Sequence, residues 1–586
     1  MSGRCGMVKK WLAFLLAAVM AFGAGAAFSE GGAPAAKTRH EIAERTMNVY
    51  VSVIEASFDM PFYFMDGVAD LPWVDLDAAS GLICGLANIV LNDKVFELSY
   101  EVNGETITLT RENGFPMIFD FASDTIHCPD FNMFLHNSTD SSVLDMLSTS
   151  GYNSAGEPEL FHRNPETTID RLGNYIEICL SDYSIEMVFQ DGRGYIPLQT
   201  LGDLILTPGF GVNTFYNGKA VFLADRYSFG SDEEGYTPLG VYYYSAEPCE
   251  RSEELARFGY NELCLALDCL YGLKESHEIS YFDTLFWQLG YGDSLKDTDA
   301  SVADDTLSAF LSCCLDDLHS GFTGCSWMNG KREAVGLTGT AAAKNAQHQL
   351  EYAEARSRLL GDVPFYTEVG NTAYITLDGF LTIAEGDQYY NVPENGTLPE
   401  DTVGGIITAH RNICREGSPI ENVVIDLSCN GGGFVDAALF LTGWVLGETP
   451  FSMKNTFTGA LSTAGYRSDV NLDRRFDERD VLTDKKVFCL ISPLSFSCGN
   501  LVPAIFKDSQ RVTLLGRTSG GGSCMVMSMS TAWGTMFQIS GHNRMSFAKN
   551  GSFYDIDQGV EPDIYLTNID SFYDREKLTA YINSLI

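Results

Sequence analysis

Ser497 stands in the run Ser495-Phe496-Ser497-Cys498-Gly499-Asn500-Leu501, between an apolar stretch at 486–492 and an amphipathic one at 501–508. Strand, sharp turn of small residues and helix make an elbow that pushes a hydroxyl out of the backbone. The helix start leaves N–H groups free to meet an anion. Two further backbone-rich loops accompany it. Asp426-Leu427-Ser428-Cys429-Asn430-Gly431-Gly432-Gly433 lies upstream, and Gly516-Arg517-Thr518-Ser519-Gly520-Gly521-Gly522-Ser523 downstream. A nucleophile turn with two loops of backbone donors is what an acyl-transfer serine site needs. The sequence reads as that of a serine hydrolase.

These loops must be positioned by alternating strands and helices. From residue 366 onward the pattern predicts strands at 373–377, 423–427, 486–491 and 512–515, with helices at 403–416, 435–446 and 501–508 between them. That alternation implies an α/β layer fold. Upstream, 250–365 has helical period, with helices at 253–271, 304–318 and 340–360. The second runs into Asp316-Asp317-Leu318-His319-Ser320-Gly321-Phe322, where Gly321 reads as a C-cap. Residues 45–235 are strand-rich, with runs at 48–54, 94–102, 106–111 and 183–189 broken by Asn-Gly and Asp-Gly turns. They read as an accessory domain.

Bulk properties narrow the function classes. A chain of 586 residues needs more than one core. Thirty-eight basic residues against 78 acidic ones, a net charge of −40, argue against a nucleic-acid partner, because a polyanion would be repelled. Lys9-Lys10, the apolar stretch 11–22 and the small residues 23–27 follow the order of a secretory signal peptide over 1–29, with a linker at 30–44. The expected location is secreted or in the cell envelope. No membrane span is expected beyond that segment.

The cysteines give no disulfide framework and read mostly as buried thiols. Neither a metal motif nor a cofactor loop appears: 516–523 lacks the Gly-Lys-Ser/Thr ending of a phosphate loop. No metal and no cofactor are expected. His277, His348 and His410 read as solvated positions.

Taken together, the segments resemble the C-terminal processing (tail-specific) serine peptidase family. Asp426–Gly433 resembles its Asp-Leu-Arg-x-Asn-x-Gly-Gly strand end, and Ser495–Asn500 its Ser-Ala-Ser-Ala-Ser-Glu nucleophile turn. Gly516 stands at the glycine of its Gly-Glu-x-Thr segment, and Gln558-Gly559-Val560-Glu561-Pro562-Asp563 resembles its closing Gly-Val-x-Pro-Asp strand. Four segments in order make a specific signal, confined to the C-terminal part of the chain.

The resemblance implies a crotonase/ClpP-like α/β core over 366–586, a helical part at 250–365, Ser497 as nucleophile, and Gly432 and Cys498 N–H groups as the oxyanion hole. Two departures stand out. Gly522 occupies the place of the family's base lysine, and Lys507, about 15 Å along the helix at 1.5 Å per residue, cannot replace it. The segment between His319 and Tyr366 is also too short for a PDZ module.

The tricorn-core-like branch of the family uses a histidine from the helical part, and Asp317-Leu318-His319-Ser320 is similar to that motif. His319 then becomes the base, with Asp557 or Asp555 orienting it. The expectation is an exported serine endopeptidase acting on polypeptides. The alternatives are a catalytically silent peptide- or ligand-binding protein with the same core, and an esterase or amidase of cell-wall material.

Overall fold

Six strands form the sheet that carries the glycine loops, in the order Tyr366–Val369, Thr372–Thr376, Asn422–Asp426, Lys486–Ile491, Val512–Gly516 and Ile564–Tyr565. Only the first pair is antiparallel; the other four pairings are parallel. Asn422–Asp426 is buried at every position, as a parallel strand covered on both faces must be. Thr402–Ile413, Val435–Leu446 and Cys498–Ser509 pack over Val423, Ile425, Val487 and Cys489 on one face. Thr340–Leu360 and Arg575–Ser584 contribute Tyr352, Ala355, Leu578 and Ile582 to the other, against Tyr374, Val424 and Leu490. The side-chain period of two assigns consecutive strand residues to the two layers. This is an α/β fold, here seen in a computed structural model. It describes residue 37 and residues 39–585, apart from 91–94, 137–142, 145–146, 148–158, 226, 232–234, 330–335, 383–385 and 393–395. The leader read at 1–29 lies outside the described residues.

A second sheet runs Gly321–Gly324, Met536–Ser546, Thr449–Asn455, Leu461–Ser468, Phe161–Arg171, and Cys524–Ser530 pairs with Met536–Ser546. Its last strand comes from the stretch read as accessory domain. In the N-terminal half a seven-stranded sheet and a five-stranded meander flank the helix Leu76–Val90. Ile42–Val51, which begins inside the segment read as linker, pairs over ten residues with Ala56–Met65. One continuous apolar core joins this half to the helices Glu253–Leu270 and Ala300–Phe310 and to Trp533, Phe537 and Ile539 of the second sheet.

Two local readings are corrected. The helix expected over 304–318 is Ala300–Phe310 followed by a π turn, Leu311–Leu315. It ends at Asp316 in the left-handed region (φ 47°), not at Gly321, which begins a strand. Asp316 tolerates that conformation because its carboxylate caps the next helix, accepting from Thr340 and Ala341 N–H. His410 is not solvated: it is buried and accepts a 3.0 Å hydrogen bond from Trp444 Nε1. Among the described residues no helix is long and apolar enough to cross a membrane, and no group of His, Cys, Asp and Glu is arranged to hold a metal.

Candidate active site

The loops after Asp426, Ile491 and Gly516 leave the carboxyl ends of three adjacent parallel strands, where open α/β sheets form their clefts. Backbone hydrogen bonds lock them together. Phe496 N–H donates to Asn430 O at 3.0 Å, Ser497 N–H to Gly521 O at 2.9 Å, and Gly520 N–H to Ser495 O at 2.9 Å. The closing segment is fastened by Ser519, whose hydroxyl donates to Asn500 Oδ1 at 2.7 Å and accepts from Val560 N–H at 2.7 Å.

Ser497 has φ 57° and ψ −124° and immediately precedes the helix Cys498–Ser509. A non-glycine residue with positive φ costs about 1–3 kcal/mol, which the surrounding loops must hold in place. Its hydroxyl caps nothing, so it is free for chemistry. Gly432, at φ 111°, closes over it: a Cβ there would lie 2.7 Å from Ser497 Cβ and 3.2 Å from Oγ. Cys498, beside Ser497, is fully buried, and desolvation pushes its thiol up to about 12. It is therefore a thiol and not a competing thiolate at neutral pH.

His319 lies with its ring centroid 4.6 Å from that of Phe496, the residue before Ser497. It is buried, and desolvation lowers its pKa below 6.5, while the carboxylates of Asp317 and then Asp557 pull the other way. Burial thus favours the neutral ring, the form a general base needs. Neither ring nitrogen, nor Ser497 Oγ, has a hydrogen-bond partner among the described residues.

Asp557 accepts from Ser523 N–H and Oγ–H, both at 3.0 Å, and faces His319 through space. Asp555 is paired with Arg544 at 2.5 Å. Cys498 N–H has no acceptor among the described residues, whereas Gly432 N–H donates to Asn430 Oδ1 at 2.9 Å. The lysine route is closed by geometry as well. Lys507 pairs with Asp563 and donates to Glu561 O, and a side chain on Gly522 would meet the Phe496 ring at 2.5 Å.

Asp317, Tyr271, Gln538 and Ser540 gather around His319 without having been singled out from sequence. Gln538 Nε2 donates to His319 O at 2.8 Å. For Asp317 a signal existed: an aspartate two residues ahead of a turn residue is the mark of an Asx turn.

Residues 371–566 match the model of peptidase family S41. The chain carries an S41 serine peptidase domain. All four loop segments above fall inside the matched residues; His319 does not. Over 112 residues the chain is 31% identical to the protein CPj1016/CpB1054 of Chlamydia pneumoniae, a match spanning 17% of this chain and 16% of that relative. Among solved structures, one described as a putative peptidase from Parabacteroides merdae aligns at 16% identity with TM-score 0.40, over 57% of this chain and 97% of its own. Mature CPAF complexed with lactacystin aligns at 12% identity with TM-score 0.37, over 57% and 97%.

Proposed function

We propose that the protein is an exported serine endopeptidase of the histidine-using kind, with a crotonase-like core and polypeptide substrates. Ser497 Oγ attacks the peptide carbonyl as its proton passes to His319, and an acyl-enzyme forms. His319 returns the proton to the departing amine, and water then repeats the cycle in reverse order. Asp557 and Asp317 supply negative charge beside the imidazolium. Cys498 N–H is the unencumbered oxyanion donor. Gly432 N–H joins it by exchanging its Asn430 acceptor, each such donor contributing about 10²–10³ in rate. No cofactor takes part in any of these steps. Substrate lies as an extended strand along an exposed sheet edge.

The observation that carries this reading is the strained, uncapped Ser497 turn set against a buried neutral histidine. A fluorophosphonate probe tests it. Wild type is expected to be labelled at Ser497, Ser497→Ala not at all, and Lys507→Ala at the wild-type rate. His319→Ala should be slower by about 10²–10⁴, the span of a general base. Loss of labelling in Lys507→Ala with retention in His319→Ala would sink the assignment.

The engaged Gly432 N–H and the unformed Ser497–His319 hydrogen bond favour a second reading, a silent peptide-binding protein. An unlabelled wild type that still binds peptides would establish it. Hydrolysis of small esters without that of casein would indicate an esterase or amidase.

A further inference from the structure

The loop that presents His319 is gathered around one carboxylate. Asp317 Oδ1 accepts from His319 N–H at 3.0 Å, Ser320 N–H at 2.9 Å and Ser540 Oγ–H at 2.8 Å. Its Oδ2 accepts from Ser320 Oγ–H at 2.7 Å and Tyr271 O–H at 2.9 Å. These donors come from the loop itself, from the residue capping the helix Glu253–Leu270, and from the strand Met536–Ser546. The helix and the strand are packed into one core through Leu267, Phe537 and Ile539, so the carboxylate sits where separate parts of the sequence converge. Tyr271 is also tied to the strand by a bridge to Gly541, and its hydroxyl meets His277 Nδ1 at 3.2 Å.

We propose that Asp317 is the positioning residue of the catalytic base, holding the backbone that aims His319 at Ser497 and setting a fixed negative charge against the imidazolium formed there. The inference rests on the assignment of Ser497 and His319 above. Asp317 gains and loses no proton. The Ser497 proton goes to His319 as the Oγ–C bond forms and on to the leaving nitrogen as the C–N bond breaks. A carboxylate saturated with five donors is already organised before the charge appears, so nothing has to reorient when it does.

The charged and titratable groups around the ring are few. Asp317 and Asp557 act on His319, and the uncharged ring of Phe496 packs against it at 4.6 Å between centroids. Tyr271, His277 and Cys524 lie beyond Asp317, and Arg544 beyond Cys524 and Asp555. Both carboxylates raise the His319 pKa against the burial that lowers it. Removing the charge of Asp317 therefore moves the acidic limb of activity to lower pH.

The test follows labelling of the full chain by a fluorophosphonate across pH 4–8, with melting temperature alongside. Asp317→Asn is expected to label more than tenfold slower, with its acidic limb displaced to lower pH. Asp317→Glu, which keeps the charge but not the geometry, should leave the limb in place and lower the rate. Tyr271→Phe and Ser540→Ala each remove one donor. They are expected to slow labelling two- to tenfold with an unmoved limb and a near wild-type melting temperature. Asp317→Asn labelled within twofold of wild type, or slowed with an unmoved limb, overturns the proposal; the latter is what a merely structural role predicts. If Asp317→Asn does not fold, wild-type rates in both single-donor variants overturn it.

The ring titration of His319, followed by NMR in the Ser497→Ala protein, separates this inference from the functional one. A lower His319 pKa with Asp317→Asn supports the positioning role even in a protein the probe never labels, and an unchanged pKa refutes it. An unlabelled wild type speaks only against the hydrolase reading.

Discussion

His319 and Cys498 show how burial sorts reactive side chains at the same site. Desolvation disfavours the charged form of each, so the imidazole stays neutral and the thiol stays protonated. For a base that is the useful direction. The folded pKa lies below 6.5, and activity should persist into mildly acidic solution, failing only as His319 is protonated below that value. A pH profile of kcat/KM for peptide hydrolysis checks this; a limb above 6.5 would contradict a base in this environment. For Cys498 the same burial means that alkylation by iodoacetamide at pH 7 should spare it in the native protein and reach it only after unfolding. Peptide mapping by mass spectrometry would tell the two states apart.

At the scale of elements, the site depends on turns that admit no side chain. Gly432→Ala would drive a methyl group to within 2.7 Å of Ser497 Cβ at a backbone position with φ 111°. The expected outcome is a loss of labelling of at least about 10²-fold, with a stability cost of about 1–3 kcal/mol. Probe kinetics and thermal melts measure both, and wild-type labelling would show that the turn can yield. These turns were legible in the sequence because glycine and small residues at strand ends have few other uses, and the four loop segments lie together as their order implied. The elbow at Ser497 could be placed from the small residues between its strand and its helix.

The base loop was only half legible. His319 could be proposed, but the helix before it stops at a left-handed aspartate, a conformation that residue 316 adopts because its own carboxylate finds a helix to cap some 24 positions later in sequence. Long-range partners of that kind leave no periodic trace. The same holds for His410, whose burial follows from Trp444 on a different helix, and for Ser540 and Tyr271, which meet Asp317 only through tertiary packing.

Across the whole molecule, the N-terminal half and the helical part share one core, and a pair of acids is sealed inside it. Asp203, on a π turn, and Glu262 are each 1% exposed and close enough to repel one another, with Thr200 O–H donating to Glu262 and Gln199 to Asp203. Burial and mutual repulsion raise Asp203, and burial raises Glu262 to about 7, so at neutral pH the pair holds a proton. Folded values above the unfolded ones mean stability that is complete below about 4.5 and is lost as pH rises through about 7. Thermal melts from pH 5 to 8 should therefore fall more steeply for wild type than for Glu262→Gln. The gap at pH 8 should be about 1–3 kcal/mol in favour of the variant, and parallel curves would refute the shared proton. Gln199 also reaches Ser530 O at 3.0 Å, so this acid pair lies where the N-terminal half meets the second sheet.

The turn of Ser497 is built on one apolar core, while the helices that lead to His319 belong to another. A polypeptide cut before residue 366 would put His319 and Ser497 on separate fragments and part Trp533 and Phe537 from the core they complete. On the proposed roles of Ser497 and His319, hydrolysis would return only when the halves find each other, so that activity would itself report correct assembly.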